Sequence, residues 1–495
     1  MRRKAIILAW ALLALAIILP AVQESEPLKA ENAPAADFSG DPRFVQALNL
    51  LDVWVEAKLA YDKIFGVSMG LVVDQDLVWS KGFGWADVER NVPTTPQTIY
   101  SICSISKLFT AIAVMQLRDQ GKLRLDDPVT ALLPWFDIEQ TFPDAPQPTV
   151  RDLLTHSSGL PRESDHPYWT GPDFPFPTRD EVIEGLSNQG MLYPAERYFQ
   201  YSNLGLTLAG QIVEQVSGEP FELYVRRHIL EPLELAQTAP SLPEAERGKL
   251  MAIGYGVLSR EGKRPVMPFF QAKGIAPAAG FSSTVVDLAR FASWQFRLLE
   301  TGATEILDAD TLREMQRVQW MDEDWGSTRG LGFGVWRGDG KTYVGHGGSC
   351  PGFRTQLTLI PRDKLAGVAM VNAMGVSPEE FIDQMFKILG AAVETIKKAP
   401  GEGRAPDPAL AKYSGLYRSA WGEEAIIVWD NGLAVVGLPS DNPLGWMEKL
   451  KPIEGHTFRR IRDDGELGEE VVFEIGPEGE VLRYWQHGNS TEKIR

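Results

Sequence analysis

Ser104 and Lys107 stand three residues apart, a spacing that puts them on one face of a helix about a turn from each other. Lys107 is the only charged residue between Cys103 and Arg118, in a run that is otherwise mostly apolar, from Leu108 and Phe109 to Met115 and Leu117. An ammonium in such a run must find hydrogen-bond partners or lose its proton, and a lysine that has lost its proton is a base. A serine beside a base is a nucleophile. If Ser104 also opens the helix, the unpaired N–H groups and the positive end of the dipole favour negative charge near its oxygen. Ser-x-x-Lys is short, however. The competing reading makes Ser104 or Ser101 an N-cap, with Lys107 snorkelling outward.

Two further stretches could complete such a site. Tyr201-Ser202-Asn203 supplies a phenol and an amide from one turn, and a tyrosine beside an ammonium can relay a proton. Val344-Gly345-His346-Gly347-Gly348-Ser349 closes a strand-like run. Its paired glycines are expected to leave room for a substrate backbone, and its bare N–H groups can point at an oxyanion. Each has a plainer alternative, a capped surface turn and a flexible strand end. The histidines share no metal-ligand spacing, and neither Cys103 nor Cys350 has a His or Cys neighbour at zinc-binding distance, so no metal or other cofactor is expected. The two cysteines read as small buried thiols, although an oxidising compartment would permit a disulfide.

The elements that would position these residues follow from periodicity. A helix is expected from Asp41 through Leu59, then a hairpin of Phe65 to Val73 and Leu77 to Phe83. The apolar run from Ser104 to Leu117 reads as a buried helix ended near Gly121. Helices are also expected near Arg179 to Ser187, Leu204 to Val216 and Val285 to Leu299. Strands return at Thr342 to Val344, Thr355 to Ile360 and Ala366 to Val371, before a last helix from Pro378. Strands at both ends of a helical middle imply one sheet built from distant parts of the chain, with a helical subdomain inserted and a cleft at the junction. Residues 398–409 read as a linker, and 410–495 as a small all-β unit whose hairpin turns at Asp430-Asn431-Gly432.

Composition bounds the rest. The 495 residues are 44% hydrophobic and 23% charged, which excludes a disordered chain, and a net charge of −17 argues against nucleic acid as a partner. Residues 1–22 carry Arg2-Arg3-Lys4 before an apolar stretch from Ala5 to Ala21, the pattern of a secretion signal, and 23–40 read as a tether. Export to a periplasmic or extracellular compartment is expected, with an uncleaved membrane anchor at residues 5–21 as the alternative.

Taken in order, Tyr100 to Lys107, Leu153 to Leu160, Tyr201-Ser202-Asn203, Ala279 to Ser283 and His346-Gly347-Gly348 resemble the serine β-lactamase and penicillin-binding protein superfamily, in its class C-like branch. The resemblance runs from about Asp41 to Lys397. It implies an α+β fold of the β-lactamase/transpeptidase kind over 41–397: an antiparallel sheet flanked by helices, plus a helical subdomain, followed by a small barrel-like domain. It also implies Ser104 as the acylated nucleophile, Lys107 and Tyr201 as its proton-handling pair, and the N–H groups of Ser104 and Ser349 as an oxyanion hole. Asn203 would bind a substrate amide carbonyl, with Gly347 and Gly348 alongside. His346 stands where β-lactamases of this branch usually carry Lys. A histidine offers a substrate carboxylate a weaker, pH-dependent charge, which favours ester or D-amino-acid peptide substrates over β-lactams. A weak β-lactamase and a non-catalytic sensor or scaffold are the alternatives. In an α/β-hydrolase His346-Gly347-Gly348 would serve as an oxyanion loop, but the chain lacks that fold's regular strand-helix alternation. His156 is expected to pack or hydrogen-bond rather than act as a base.

Overall fold

Pro42 to Tyr61 form the first long helix, α1, which Asp41 caps by accepting from the Arg43 N–H at 2.9 Å. The expected hairpin follows as β1 (Gly66–Val73) and β2 (Asp76–Asp87). Further along come α2 (Ser106–Asp119), α3 (Asn203–Ser217), α4 (Val285–Thr301), β3 (Gly334–Gly338), β4 (Lys341–Cys350), β5 (Phe353–Ile360), β6 (Leu365–Val371) and α5 (Pro378–Met385). The computed structural model describes residues 38–495. The charged and apolar N-terminal stretch and nearly all of the tether after it lie outside the described residues. Among the described residues no helix is long and apolar enough to cross a membrane.

The main sheet has nine strands, with the central order β2-β1-β6-β5-β4-β3 and short strands at both edges. β1, from the start of the chain, pairs antiparallel with β6 from far downstream, Val67 opposite Val371 through Val73 opposite Leu365. Period-two alternation then divides the faces. Val67, Met69 and Leu71 join Ala369 and Val371 in a core shared with α1 and α5, whereas Val72, Val368 and Met370 face the core shared with α2 and α4. Both faces are buried, which is why these strands read as unbroken apolar runs in the sequence.

The C-terminal strands, from Gly415–Ser419 to Asn489–Lys493, close into an eight-stranded barrel in which the first pairs with the last. Its hairpin turns at Asp430, which takes φ 52°, the left-handed conformation that a two-residue turn demands. Tyr417, Phe458, Phe473 and Tyr484 fill the interior. Ile427, Ala434 and Val436 face outward into the core of α1, and the Trp54 Nε1–H donates to the Ser440 carbonyl at 2.8 Å. The barrel therefore packs on the helix that covers the sheet.

Candidate active site

Ser104 lies in a tight turn, Cys103–Ile105, that runs straight into α2. Cys103 takes φ 50°, unfavourable for a side-chain-bearing residue, so the surroundings must hold it. They do so from three sides. The Ile102 N–H donates to the Phe281 carbonyl at 2.9 Å, the Phe281 N–H donates to Ser106 Oγ at 3.0 Å, and Thr355 Oγ1 of β5 donates to the Ile102 carbonyl at 3.2 Å. The expectation of two separate thiols is corrected here: Cys103 and Cys350 form a disulfide, their Cα atoms 5.8 Å apart. Each cysteine adjoins one of the serines, 104 and 349, whose N–H groups the resemblance assigns to the oxyanion hole.

Lys107 is fully buried, which disposes of the outward-snorkelling alternative. Its Nζ reaches Ser104 Oγ at 3.2 Å, Asn203 Oδ1 at 2.8 Å and the Ala278 carbonyl at 2.7 Å, and it lies 4.9 Å from the centre of the Tyr201 ring. Among the described residues no carboxylate comes within ion-pair distance of it. Burial pushes its pKa below the usual lysine value; Tyr201 and Glu163 oppose the shift and Arg162 adds to it. A neutral Lys107 has two N–H bonds and one lone pair. With Asn203 Oδ1 and the Ala278 carbonyl taking the two hydrogens, the lone pair is left facing Ser104 Oγ.

The Arg162 guanidinium also lies 4.9 Å from the Tyr201 ring centre. His156 stacks on that ring at 4.3 Å. That histidine ends the short helix Val150–Thr155, and its Nδ1 accepts the Ser202 N–H at 3.1 Å. Burial, reinforced by nearby cations, drives its pKa well down, so it is neutral and braces the turn that carries Tyr201. Asn203 differs from its expected use. Its Nδ2 lies 2.8 and 3.0 Å from the two carboxylate oxygens of Glu163, so the amide is turned into the protein rather than offered to a substrate carbonyl.

His346 stands on β4 with its ring 6.3 Å from that of Tyr201 and its Nδ1 2.7 Å from the Gly347 carbonyl, to which Nδ1–H donates. The residue is half-buried, and protein packs closely around its ring. Burial and then the charge of Lys107 lower its pKa to about 3, with Arg329 adding to the shift and the Gly347 bond opposing it. The pH-dependent charge expected of His346 is therefore absent in the neutral range. The glycines also serve a purpose other than the expected one. A Cβ on Gly348 would sit 2.3 Å from the Ile102 carbonyl oxygen, and one on Gly347 would sit 2.6 Å from Gln356 Oε1. At Gly348 the missing side chain lets β4 approach the turn before Ser104, and at Gly347 it makes room for the Gln356 side chain of β5. Ser349, beyond them, is exposed.

Three residues near this constellation escaped sequence reasoning: Arg162, Glu163 and Arg329. Arg329 belongs to a short strand, Thr328–Arg329, that lies between Trp320–Met321 and β3 near one end of the sheet, with its guanidinium 4.6 Å from the Phe199 ring centre. Among the described residues no carboxylate lies within ion-pair distance of it, Asp322 acting on it from farther off, and its charge reaches Tyr201, His156 and His346. No sequence signal marks it, because an arginine in a polar loop is ordinary.

A cavity of about 1290 Å³ lies elsewhere, between α1, β2 and the barrel. Its charges are matched in pairs, Lys81 with Asp52 and Arg495 with Glu56, both at 2.7 Å. It holds no serine beside a base. The nucleophile-elbow spacing Gly-x-Ser-x-Gly does occur in the chain, at Gly66 to Gly70, but there Ser68 is buried inside β1 and bonded to the Thr95 carbonyl and the Tyr100 hydroxyl.

The sequence profile of the beta-lactamase family matches residues 51–392. Beta-lactamase-like protein 2 of Dictyostelium discoideum is 26% identical over 86% of this chain and 80% of its own length. Penicillin-binding protein 4 of Amycolatopsis lactamdurans is 24% identical over 72% and 94%. Among solved structures, the octameric penicillin-binding protein homologue from Pyrococcus abyssi superposes with a TM-score of 0.61 at 27% identity, covering 90% of this chain and all of that one. A profile that spans the Ser104 turn, Lys107, Tyr201 and β4 together, matched over most of the folded chain, makes this protein a member of the beta-lactamase family.

Proposed function

We propose that the chain is an exported serine hydrolase that acylates Ser104 and cleaves ester or D-amino-acid peptide bonds. The observation that carries this reading is Lys107, buried without a carboxylate partner and 3.2 Å from Ser104 Oγ. A sensor or scaffold would gain nothing from holding a lysine there.

In the first half-reaction, neutral Lys107, in concert with Tyr201, takes the proton of Ser104 Oγ as that oxygen attacks the carbonyl carbon. The oxyanion that forms accepts from the Ser104 and Ser349 N–H groups. When it collapses, the carbon–oxygen or carbon–nitrogen bond to the leaving group breaks, and Tyr201 passes on the proton, which leaves with the alcohol or amine. The acyl group remains on Ser104. Water then attacks the ester, the same pair takes its proton, and collapse returns that proton to Ser104 Oγ. The net reaction adds one water across the bond.

Arg329 supports a substrate with a carboxylate. Among the described residues its guanidinium makes no ion pair, the charge of Asp322 acting on it only from farther off, whereas His346 is uncharged in the neutral range. A panel of short-chain p-nitrophenyl esters, D-amino-acid peptides and nitrocefin, assayed with the native protein and Ser104→Ala, tests the proposal. Native turnover of an ester or D-peptide, abolished by the substitution, is expected. If no substrate in the panel is hydrolysed faster by the native protein than by the variant, the reading fails.

A further inference from the structure

Lys107 can act as a base toward Ser104 only if its other two positions are occupied by acceptors. One of these, the Ala278 carbonyl, is backbone and cannot turn. The other belongs to the Asn203 side-chain amide, which would present N–H groups to Lys107 if it flipped end for end. Something must hold it. The group behind it is the carboxylate of Glu163, 2.8 and 3.0 Å from Asn203 Nδ2, and a carboxylate accepts but does not donate.

Glu163 is itself fixed. The Tyr168 hydroxyl donates to it, and Arg162 Nε lies 3.2 Å from Oε1. The loop that carries it is bonded to the start of α3: the Arg162 carbonyl accepts the Asn203 N–H at 2.7 Å, and the Pro161 carbonyl accepts the Ser202 hydroxyl at 2.7 Å. The carboxylate therefore stands beside the first residue of a fifteen-residue helix, where negative charge is favoured.

On the reading that Ser104 and Lys107 perform acyl transfer, we propose that Glu163 is a positioning residue. It locks the Asn203 amide with its carbonyl toward Lys107, and it sets the proton affinity of that lysine by placing one negative charge behind the pair. The groups that share the field at Lys107 are Glu163, Tyr201 at the start of the Tyr201-Ser202-Asn203 turn, Arg162 beside Glu163, and the neutral His156 and His346, with Arg329 acting on Tyr201 and both histidines. Of these, Glu163 is the carboxylate. Its negative charge favours the protonated lysine, so removing it makes Lys107 lose its proton at lower pH.

The experiment is the pH dependence of kcat/KM for an ester substrate in the native protein, Glu163→Gln and Glu163→Asp, with thermal unfolding of all three. Glu163→Gln keeps the shape and loses the charge. Its acid limb is expected to move to lower pH by about one unit, with kcat at the plateau down roughly tenfold and KM within about twofold. Glu163→Asp keeps the charge and shortens the reach. It is expected to lose kcat with its acid limb within a few tenths of a unit of the native one. A glutamate that merely stabilised the fold would lower Tm and leave both limbs in place. An unmoved limb in Glu163→Gln, or one moved to higher pH, overturns the proposal. A native protein that hydrolyses nothing overturns instead the reading of Ser104 on which it rests.

Discussion

The site at Ser104 and the cavity between α1, β2 and the barrel differ in what the protein does with charge. In the cavity each cation near the opening has its anion within the protein: Lys81 meets Asp52, and Arg495 meets Glu56. At the Ser104 site Lys107 is held by neutral acceptors, and Arg329 faces an aromatic ring without an ion partner. A buried basic group without an anion costs stability whether it keeps its proton or gives it up, and the fold retains two such groups, Lys107 and Arg329. The lesson is that volume is a poor guide to where chemistry happens. Uncompensated charge, converging on a nucleophile, is a better one.

The sharpest way to break this comparison is to remove the cation with the proposed catalytic duty. Lys107→Met preserves the volume and deletes the base. Hydrolysis of an activated ester should fall by roughly 10²- to 10⁴-fold in kcat/KM while the protein stays folded, because a methionine suits the apolar helix at least as well. A loss under tenfold would mean that the burial of Lys107 has nothing to do with catalysis.

Arg329→Gln sharpens the comparison by separating substrates. For a substrate bearing a carboxylate, KM should rise roughly 10- to 100-fold, the worth of a charged hydrogen bond, while a neutral ester should barely respond. The matching change in the cavity, Lys81→Gln, should leave kcat and KM for both substrates alone. Its stability effect should stay under about 1 kcal/mol, since that ion pair is partly exposed. Equal damage to both substrates by Arg329→Gln would show that its guanidinium does not read charge.

The remaining contrast concerns His346, where stability responds to pH but turnover should not. Its folded pKa of about 3 lies below the 6.5 of an ordinary histidine, so between those values the unfolded chain binds a proton that the native protein does not. Stability must rise with pH across that window and fall as the solution is acidified through it. His346→Gln should flatten that part of the curve in denaturant titrations. In the native protein KM for an anionic substrate should stay constant from about pH 5 to 8, where a titrating histidine would make it climb.

Much of the fold was legible because periodicity survives burial. The apolar helix after Ser104, the strands at both ends of the first domain and the Asp430-Asn431-Gly432 hairpin all appear where their patterns put them. The site was legible where residue types conflict with their surroundings, as Lys107 does. The conflict vanishes for Arg162, Glu163 and Arg329, which sit in polar loops, so only their tertiary placement sets them apart. The disulfide was not readable because two cysteines far apart in sequence say nothing about their Cα separation. The glycines of β4 were assigned to a substrate because the sequence does not reveal that the turn before Ser104 and the Gln356 side chain pack against them.

The central claim is that Ser104 Oγ is the atom acylated. Treating the native protein and Ser104→Ala with a fluorophosphonate, digesting both and mapping the modified peptide by mass spectrometry tests it without knowledge of the substrate. One adduct per chain on Ser104, and none in the variant, is the predicted result. An adduct on another residue, or equal labelling of the two proteins, would contradict it.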